Sequence, residues 1–131
     1  MRFLKFLSVL LSISLLGAPV TIRGQNKKLT TWQAKHHIGQ QATVCGRVAS
    51  GRYTPRTPGS PTFLDLDGAY PNQSFTVIIW GNNRPKFKTP ETTYREKSIC
   101  VSGRIGTYRG EPEIIASDPG QLSVNTPQPK D

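Results

Sequence analysis

The sequence predicts an all-β domain built as a five-stranded, partly open barrel, and three observations lead there. Residues 61–80, PTFLDLDGAYPNQSFTVIIW, read as one hairpin with two distinct faces. Two other short runs, TVCGRV and ICVSGRI, share an apolar-x-Gly-Arg-apolar ending, the bent pattern that small barrels use at their corners. A long Gly- and Pro-rich loop and a break after the hairpin separate these strands. Periodicity alone also fits an SH3-like barrel or a small sandwich.

In the hairpin, Leu64 and Leu66 alternate with Phe63 and Asp65, and Phe75, Val77 and Ile79 alternate with Thr76, Ile78 and Trp80. This period of two puts one apolar set in the core and turns Phe63, Ile78 and Trp80 outward unless something covers them. Asp67, Gly68, Pro71 and Asn72 between the arms imply a connection of several residues.

The chain opens with Arg2 and Lys5, then an apolar run over residues 6–16 that is shorter than the roughly 20 residues a spanning helix needs. Residues 1–24 are therefore expected to be a signal peptide, cut somewhere between 18 and 25, with a retained membrane anchor as the alternative. A domain over 25–124 and a flexible tail over 125–131 follow. Residues 29–39, LTTWQAKHHIG, are expected to form a short helix capped at Thr30 or Thr31, ended by Gly39, and turning Ala34 and Ile38 inward. Strand one covers 40–49, with a bulge or bend at Gly46. A loop over 50–60 follows, and the hairpin supplies strands two and three. Pro85 and Pro90 forbid one continuous helix over 81–96 but allow single turns. Strand four covers 97–105, a tight GTYRGE connection follows, and strand five covers 112–117. In the tail, Leu122 and Val124 are candidates to dock.

The 131 residues carry 17 basic and 8 acidic side chains; beyond residue 24 the balance is 14 against 8, a net +6. That charge favours polyanionic partners, with plain solubility as the alternative. Cys45 and Cys100 both fall on the strand face opposite the apolar one, so antiparallel neighbours could bridge them; two free thiols are the competing reading. Two distant cysteines and the pair His36 and His37 lack metal-ligand spacing, so neither a metal site nor a cofactor is expected.

From about residue 34 to 124 the segments HIGQQATVCGRV, PTFLDLDGAYPNQSFTVIIW and SICVSGRIGTYRGEPEIIASDPGQL resemble the small bacterial OB-fold domains of the nucleic-acid-binding, tRNA-anticodon-type group, including secreted ones. The resemblance implies a five-stranded OB-fold Greek-key barrel with a short N-terminal helix. It further implies ligands on the face of strands two and three, between the loops that join strands one to two and four to five.

The expected site holds Arg52, Tyr53 and Arg56 in one loop, Tyr108 and Arg109 in the other, and Arg47, Phe63, Ile78 and Trp80 on the strands between. Cations for phosphates and flat rings for bases suit single-stranded DNA or RNA. Phe63 and Trp80 have a structural alternative, cover by the helix or the tail, and the loop arginines have plain solvation. Asp65 shares the outer face with Phe63 and would repel phosphate. No catalytic spacing stands out, so a non-enzymatic binder is expected, secreted or periplasmic, with no stable membrane insertion once the signal is removed. The alternative is an envelope interaction module for a protein, glycan or small ligand.

Overall fold

One long strand joins the two halves of the sheet, pairing directly with three other strands. The structure, a computed structural model, describes residues 28–126 together with residues 14 and 16–19. The expected signal peptide over 1–24 falls, apart from those five residues, outside the described residues, as does the tail beyond 126. Eight strands form one mixed sheet: β1 (Lys28–Thr30), β2 (Gln41–Tyr53), β3 (Thr62–Leu66), β4 (Phe75–Ile79), β5 (Ser98–Arg104), β6 (Gly106–Tyr108), β7 (Glu111–Ile115) and β8 (Leu122–Val124). Their order is β6-β7-β4-β3-β2-β5-β8, with β1 paired to β2. The five expected strands are all present as β2, β3, β4, β5 and β7; β1, β6 and β8 are short additions. The sheet curls without closing, since among the described residues β5 and β7 share no backbone ladder. This is an all-β, OB-fold-like domain.

The first half of β2 lies between β1, parallel to it, and β5, antiparallel. Its second half pairs antiparallel with β3. Cys45 stands directly opposite Cys100 in the β2–β5 ladder, and the two are joined by a disulfide. The bridge that strand parity allowed is therefore present, and the reading of two free thiols is set aside.

Inward positions fill the core as the alternation demands. Val44 and Val48 of β2, Leu64 and Leu66 of β3, and Phe75, Val77 and Ile79 of β4 meet Ile99 and Val101 of β5 and Ile114 of β7. Burying each such side chain contributes about 1.5–3 kcal/mol. Leu122 of β8 reaches the same core, so the first part of the tail does dock.

Several sequence expectations need correction. The helix over 29–39 is a single turn, α1 (Thr31–Ala34), because Leu29 is drawn into β1 instead. Thr30 caps it, its side chain accepting from the Gln33 N–H, and Ala34 is buried, but Ile38 lies in the turn beyond and is 44% exposed. A helix continued to Gly39 would not deliver the chain to β2, where the Gly39 N–H donates to the Ile105 carbonyl at 2.7 Å. Strand one runs on to Tyr53, four residues further than expected, and the loop shortens to match. Gly46 is not the bulge: the β2–β3 register shifts between Val48 and Ser50. Gly46 is small for another reason, since a Cβ there would lie 2.8 Å from both Thr31 and the Asp67 carboxylate. The segment after β4 breaks as expected into two turns, α2 (Arg84–Phe87) and α3 (Pro90–Thr93), each with a proline in its first turn.

Cys45 and Cys100 are 55 residues apart, so by loop-closure entropy the bridge stabilises the fold by about 4 kcal/mol. Replacing both with alanine is expected to lower the urea-unfolding free energy by roughly that amount.

Candidate functional site

The register of the four outer-face strands builds the site row by row. Arg52 of β2 pairs with Phe63 of β3, Phe63 with Ile78 of β4, and Ile78 with Ile115 of β7. The next row runs Ser50, Asp65, Thr76 and Glu113. The residue inserted at the β2 bulge reverses the strand's parity, because Val48 faces the core and, two positions on in an unbroken strand, Ser50 would too. The bulge instead turns Ser50 and Arg52 outward.

Asp65 is 0% exposed yet charged, and three groups compensate it. The Ser50 hydroxyl donates to Oδ2 at 2.7 Å, Arg52 Nε donates to Oδ2 at 3.1 Å, and Arg52 Nη2 donates to Oδ1 at 3.3 Å. Ser50 Oγ also accepts from the Tyr70 N–H at 3.1 Å, which ties the β3–β4 connection to the same carboxylate. Held this way, the Arg52 guanidinium carbon lies 3.8 Å from the Tyr70 ring centre and 4.8 Å from that of Phe63. On the far side, Tyr108 of β6 packs against Phe63 with ring centres 5.8 Å apart and planes tilted by 45°. Arg109 follows in a turn at φ 50°. Together these enclose a cleft of about 310 Å³. Its walls are Arg52, Phe63, Tyr70, Pro71 and Tyr108, with Thr54, Thr57, Gln73, Thr76, Arg109 and Glu111 supplying polar groups.

Of the residues expected to form the site, the structure brings together Arg52, Phe63, Tyr108 and Arg109. Phe63 lies between Arg52 and Tyr108 and is only 7% exposed. Ile78 is 1% exposed, held in its row between Phe63 and Ile115, and so supports the floor rather than presenting a surface. Arg47 and Arg56 are exposed but line none of the hollows. Tyr53 and Trp80 are elsewhere: with Gly59, Ser60, Gly81 and Asn82 they line a shallow hollow of about 530 Å³. Neighbours along a strand face opposite ways, so Arg52 and Tyr53 cannot share one surface. In that second hollow Arg84 covers the Tyr53 ring at 3.8 Å and is paired with Glu91. Trp80 is half-buried, lying over Gly59, where φ is 80° and a Cβ would come within 2.9 Å of the indole.

Sequence reasoning missed Tyr70, Gln73, Glu111 and Glu113. The first two stand in a segment whose composition signals only a turn. Glu113 had a readable signal: in EPEII it shares the outward parity of Ile115, which places a carboxylate on a mostly covered face. It is 7% exposed, its Oε2 has no partner among the described residues, and it borders a third hollow between β5 and β7. Burial pushes the Glu113 carboxyl above its ordinary range.

Two outcomes follow. Asp65→Ala should cost about 1–3 kcal/mol in urea unfolding, and a double-mutant cycle with Arg52→Ala should return a coupling of about 1 kcal/mol or more. For Glu113 the folded domain holds the proton more tightly than the unfolded chain. Its contribution is full below the ordinary glutamate pKa and lost as pH rises through the raised value. Glu113→Gln should therefore melt higher than wild type near neutral pH, by about 4–8 °C if the gain is about 1 kcal/mol, with the gap closing toward about pH 4.

No family model matches the sequence, and no curated protein matches it. Solved structures do resemble it. An OBody bound to hen egg-white lysozyme superposes with a TM-score of 0.56 at 18% identity, covering 79% of this chain and 97% of that one. Asparaginyl-tRNA synthetase from Entamoeba histolytica gives 0.51 at 16% identity, covering 80% of this chain and 25% of that one. Aspartyl-tRNA synthetase from the same organism gives 0.50 at 14% identity over 83% and 23%. The chain thus spans about a quarter of each synthetase's length, and at these identities the likeness establishes the fold.

Proposed function

We propose that this chain is an exported OB-fold protein that binds single-stranded nucleic acid in the cleft between β3, the β3–β4 connection and the β6–β7 turn. The observation that carries this reading is the three rings, Phe63, Tyr70 and Tyr108, gathered with Arg52 and Arg109 around one concave surface. Each base stacked on such a ring gains roughly 1–3 kcal/mol, and the arginines at the rim can meet phosphates. The fold's likeness to parts of two tRNA synthetases supports the same class of partner. The role proposed is binding without catalysis. Export to an extracellular or periplasmic space is supported by the basic-then-apolar opening of the sequence and by the Cys45–Cys100 bridge, which oxidising compartments preserve. Among the described residues no helix is long and apolar enough to cross a membrane.

A second reading, an envelope module for a protein, glycan or small ligand, draws support from the cleft's charge balance, where Arg52 is paired with the buried Asp65 and Glu111 lines the cleft with Arg109. The OBody neighbour also binds a protein, lysozyme. Anisotropy titration of a labelled single-stranded oligonucleotide at two salt concentrations separates the two. The nucleic-acid reading expects log affinity to fall with log salt at a slope of about 0.7 per phosphate contacted. It also expects Tyr108→Ala to weaken binding roughly 5- to 100-fold, and Tyr53→Ala to weaken it less. Absence of binding at low salt would leave the second reading.

A further inference from the structure

We infer that the hollow beside Trp80 is a second binding site, for an uncharged chain of β-linked glucose-type sugars, separate from the cleft and independent of what the cleft binds.

None of the residues that line this hollow of about 530 Å³, Tyr53, Gly59, Ser60, Trp80, Gly81 and Asn82, carries a charge. The neighbouring Arg84 is committed, its guanidinium stacked on the Tyr53 ring at 3.8 Å and paired with Glu91. In a chain with 17 basic and 8 acidic residues, a hollow lined by no cation is a poor seat for phosphate. What it offers instead is a large ring with hydroxyl and amide groups around it. Trp80 is half-buried, so part of the indole stays open to solvent. Gly59 abuts it along the Cε3–Cζ3 edge, where a Cβ would come within 2.9 and 3.0 Å, against 4.0 Å to Cδ2, so this contact does not cover a ring face. The electron-rich face of an aromatic ring attracts polarised C–H bonds. Glucose-type rings, with their substituents equatorial, leave such bonds unobstructed on both sides. Asn82 is exposed and Tyr53 is 40% exposed, which places an amide and a phenol hydroxyl where sugar hydroxyls can replace water. Ser60 Oγ donates to Pro55 O at 2.9 Å and keeps lone pairs to accept with. The walls are already set: the Gly81 N–H donates to Gly59 O at 2.9 Å, the Ser60 N–H to Thr57 O at 2.8 Å and the Asn83 N–H to Trp80 O at 2.9 Å. A site that needs no ordering on binding keeps the small gains that each sugar contact brings.

The test is titration of the disulfide-bonded protein with cellotetraose, an uncharged β-linked glucose oligomer, followed by indole fluorescence. The chain has two tryptophans, and Trp32 is 67% exposed, so Trp32→Phe leaves Trp80 as the one reporter. The expected result is a saturable change in Trp80 emission in the millimolar range, with an affinity that stays within about twofold between low and high salt because no ion pair forms. Asn82→Ala, a change at an exposed side chain, should weaken binding about three- to tenfold, and calorimetry of Trp80→Ala should show no binding. Tyr108→Ala, in the cleft, should leave the sugar affinity unchanged. Should Trp80→Ala fail to fold, Asn82→Ala decides alone. A flat titration, wild-type affinity in Asn82→Ala, retained binding in a folded Trp80→Ala protein, or loss of sugar binding in Tyr108→Ala each overturn the inference. Displacement of the sugar by single-stranded DNA overturns it too, and makes the hollow part of a nucleic-acid path.

Discussion

A carboxylate sealed from water governs how the outer face is arranged. Removing Asp65 from solvent without partners would cost several kcal/mol, more than any single contact around it returns, so the fold must bring donors to it. Those donors are Ser50 and Arg52, and they reach it only because β2 carries an extra residue just after Val48. One inserted residue changes which face every later side chain takes. Without it, the guanidinium would point into the core and the cleft would lose a wall. Through Ser50 the same carboxylate also holds the Tyr70 backbone, so a ring on a loop is positioned by a charge on a strand.

This changes how the excess of basic residues bears on binding. Arg52 is spent on Asp65 and Arg84 on Glu91, and each is stacked on a tyrosine. Such arginines act more as rigid, flat building pieces than as free charge. Of the exposed arginines, Arg109 lines the cleft, whereas Arg47 and Arg56 line none of the hollows. A ligand suited to that layout has flat uncharged groups for the interior and negative charge for the rim. Asp65, which on sequence grounds argued against a polyanion because it shares the face of Phe63, is silenced by its partners and makes the ring-lined interior possible.

How much of this was legible in the sequence depends on how local the signal is. The alternation in FLDL and FTVII assigned both faces of the hairpin correctly, and the shared parity of Cys45 and Cys100, both opposite the apolar face, made the bridge a candidate that the structure bears out, because both rest on a period of two that short strands keep. The thirteen-residue reach of β2 was not legible, since SGRY has no apolar alternation and is held as a strand by its pairing with β3. That Arg52 and not Tyr53 takes the cleft face follows from the bulge, whose position Gly46 suggested wrongly. Tyr70 and Gln73 look like turn residues in any reading by composition; only the Ser50–Tyr70 hydrogen bond and the ladder bonds around Ser74 show that the turn is a wall.

The unclosed side of the sheet bears on the cleft as well. Where β5 and β7 diverge, the Gln121 side chain spans the gap: its Nε2 donates to Ser102 O at 3.0 Å and to Ile115 O at 3.2 Å, while its Oε1 accepts from the Ser117 and Asp118 N–H groups. One amide therefore stands in for a backbone ladder. A side chain held by four hydrogen bonds is a tether more easily parted than a row of paired strands, and Glu113, beside it with an unpaired oxygen, weakens that edge further. Yet β7 is also clamped by β4 on one side and β6 on the other, and the β6–β7 turn is what carries Tyr108 and Arg109 to the cleft. The binding face is accordingly built mainly on strands paired on both sides, with Tyr108 brought in from the terminal strand β6, and the looser closure is left to the side between β5 and β7.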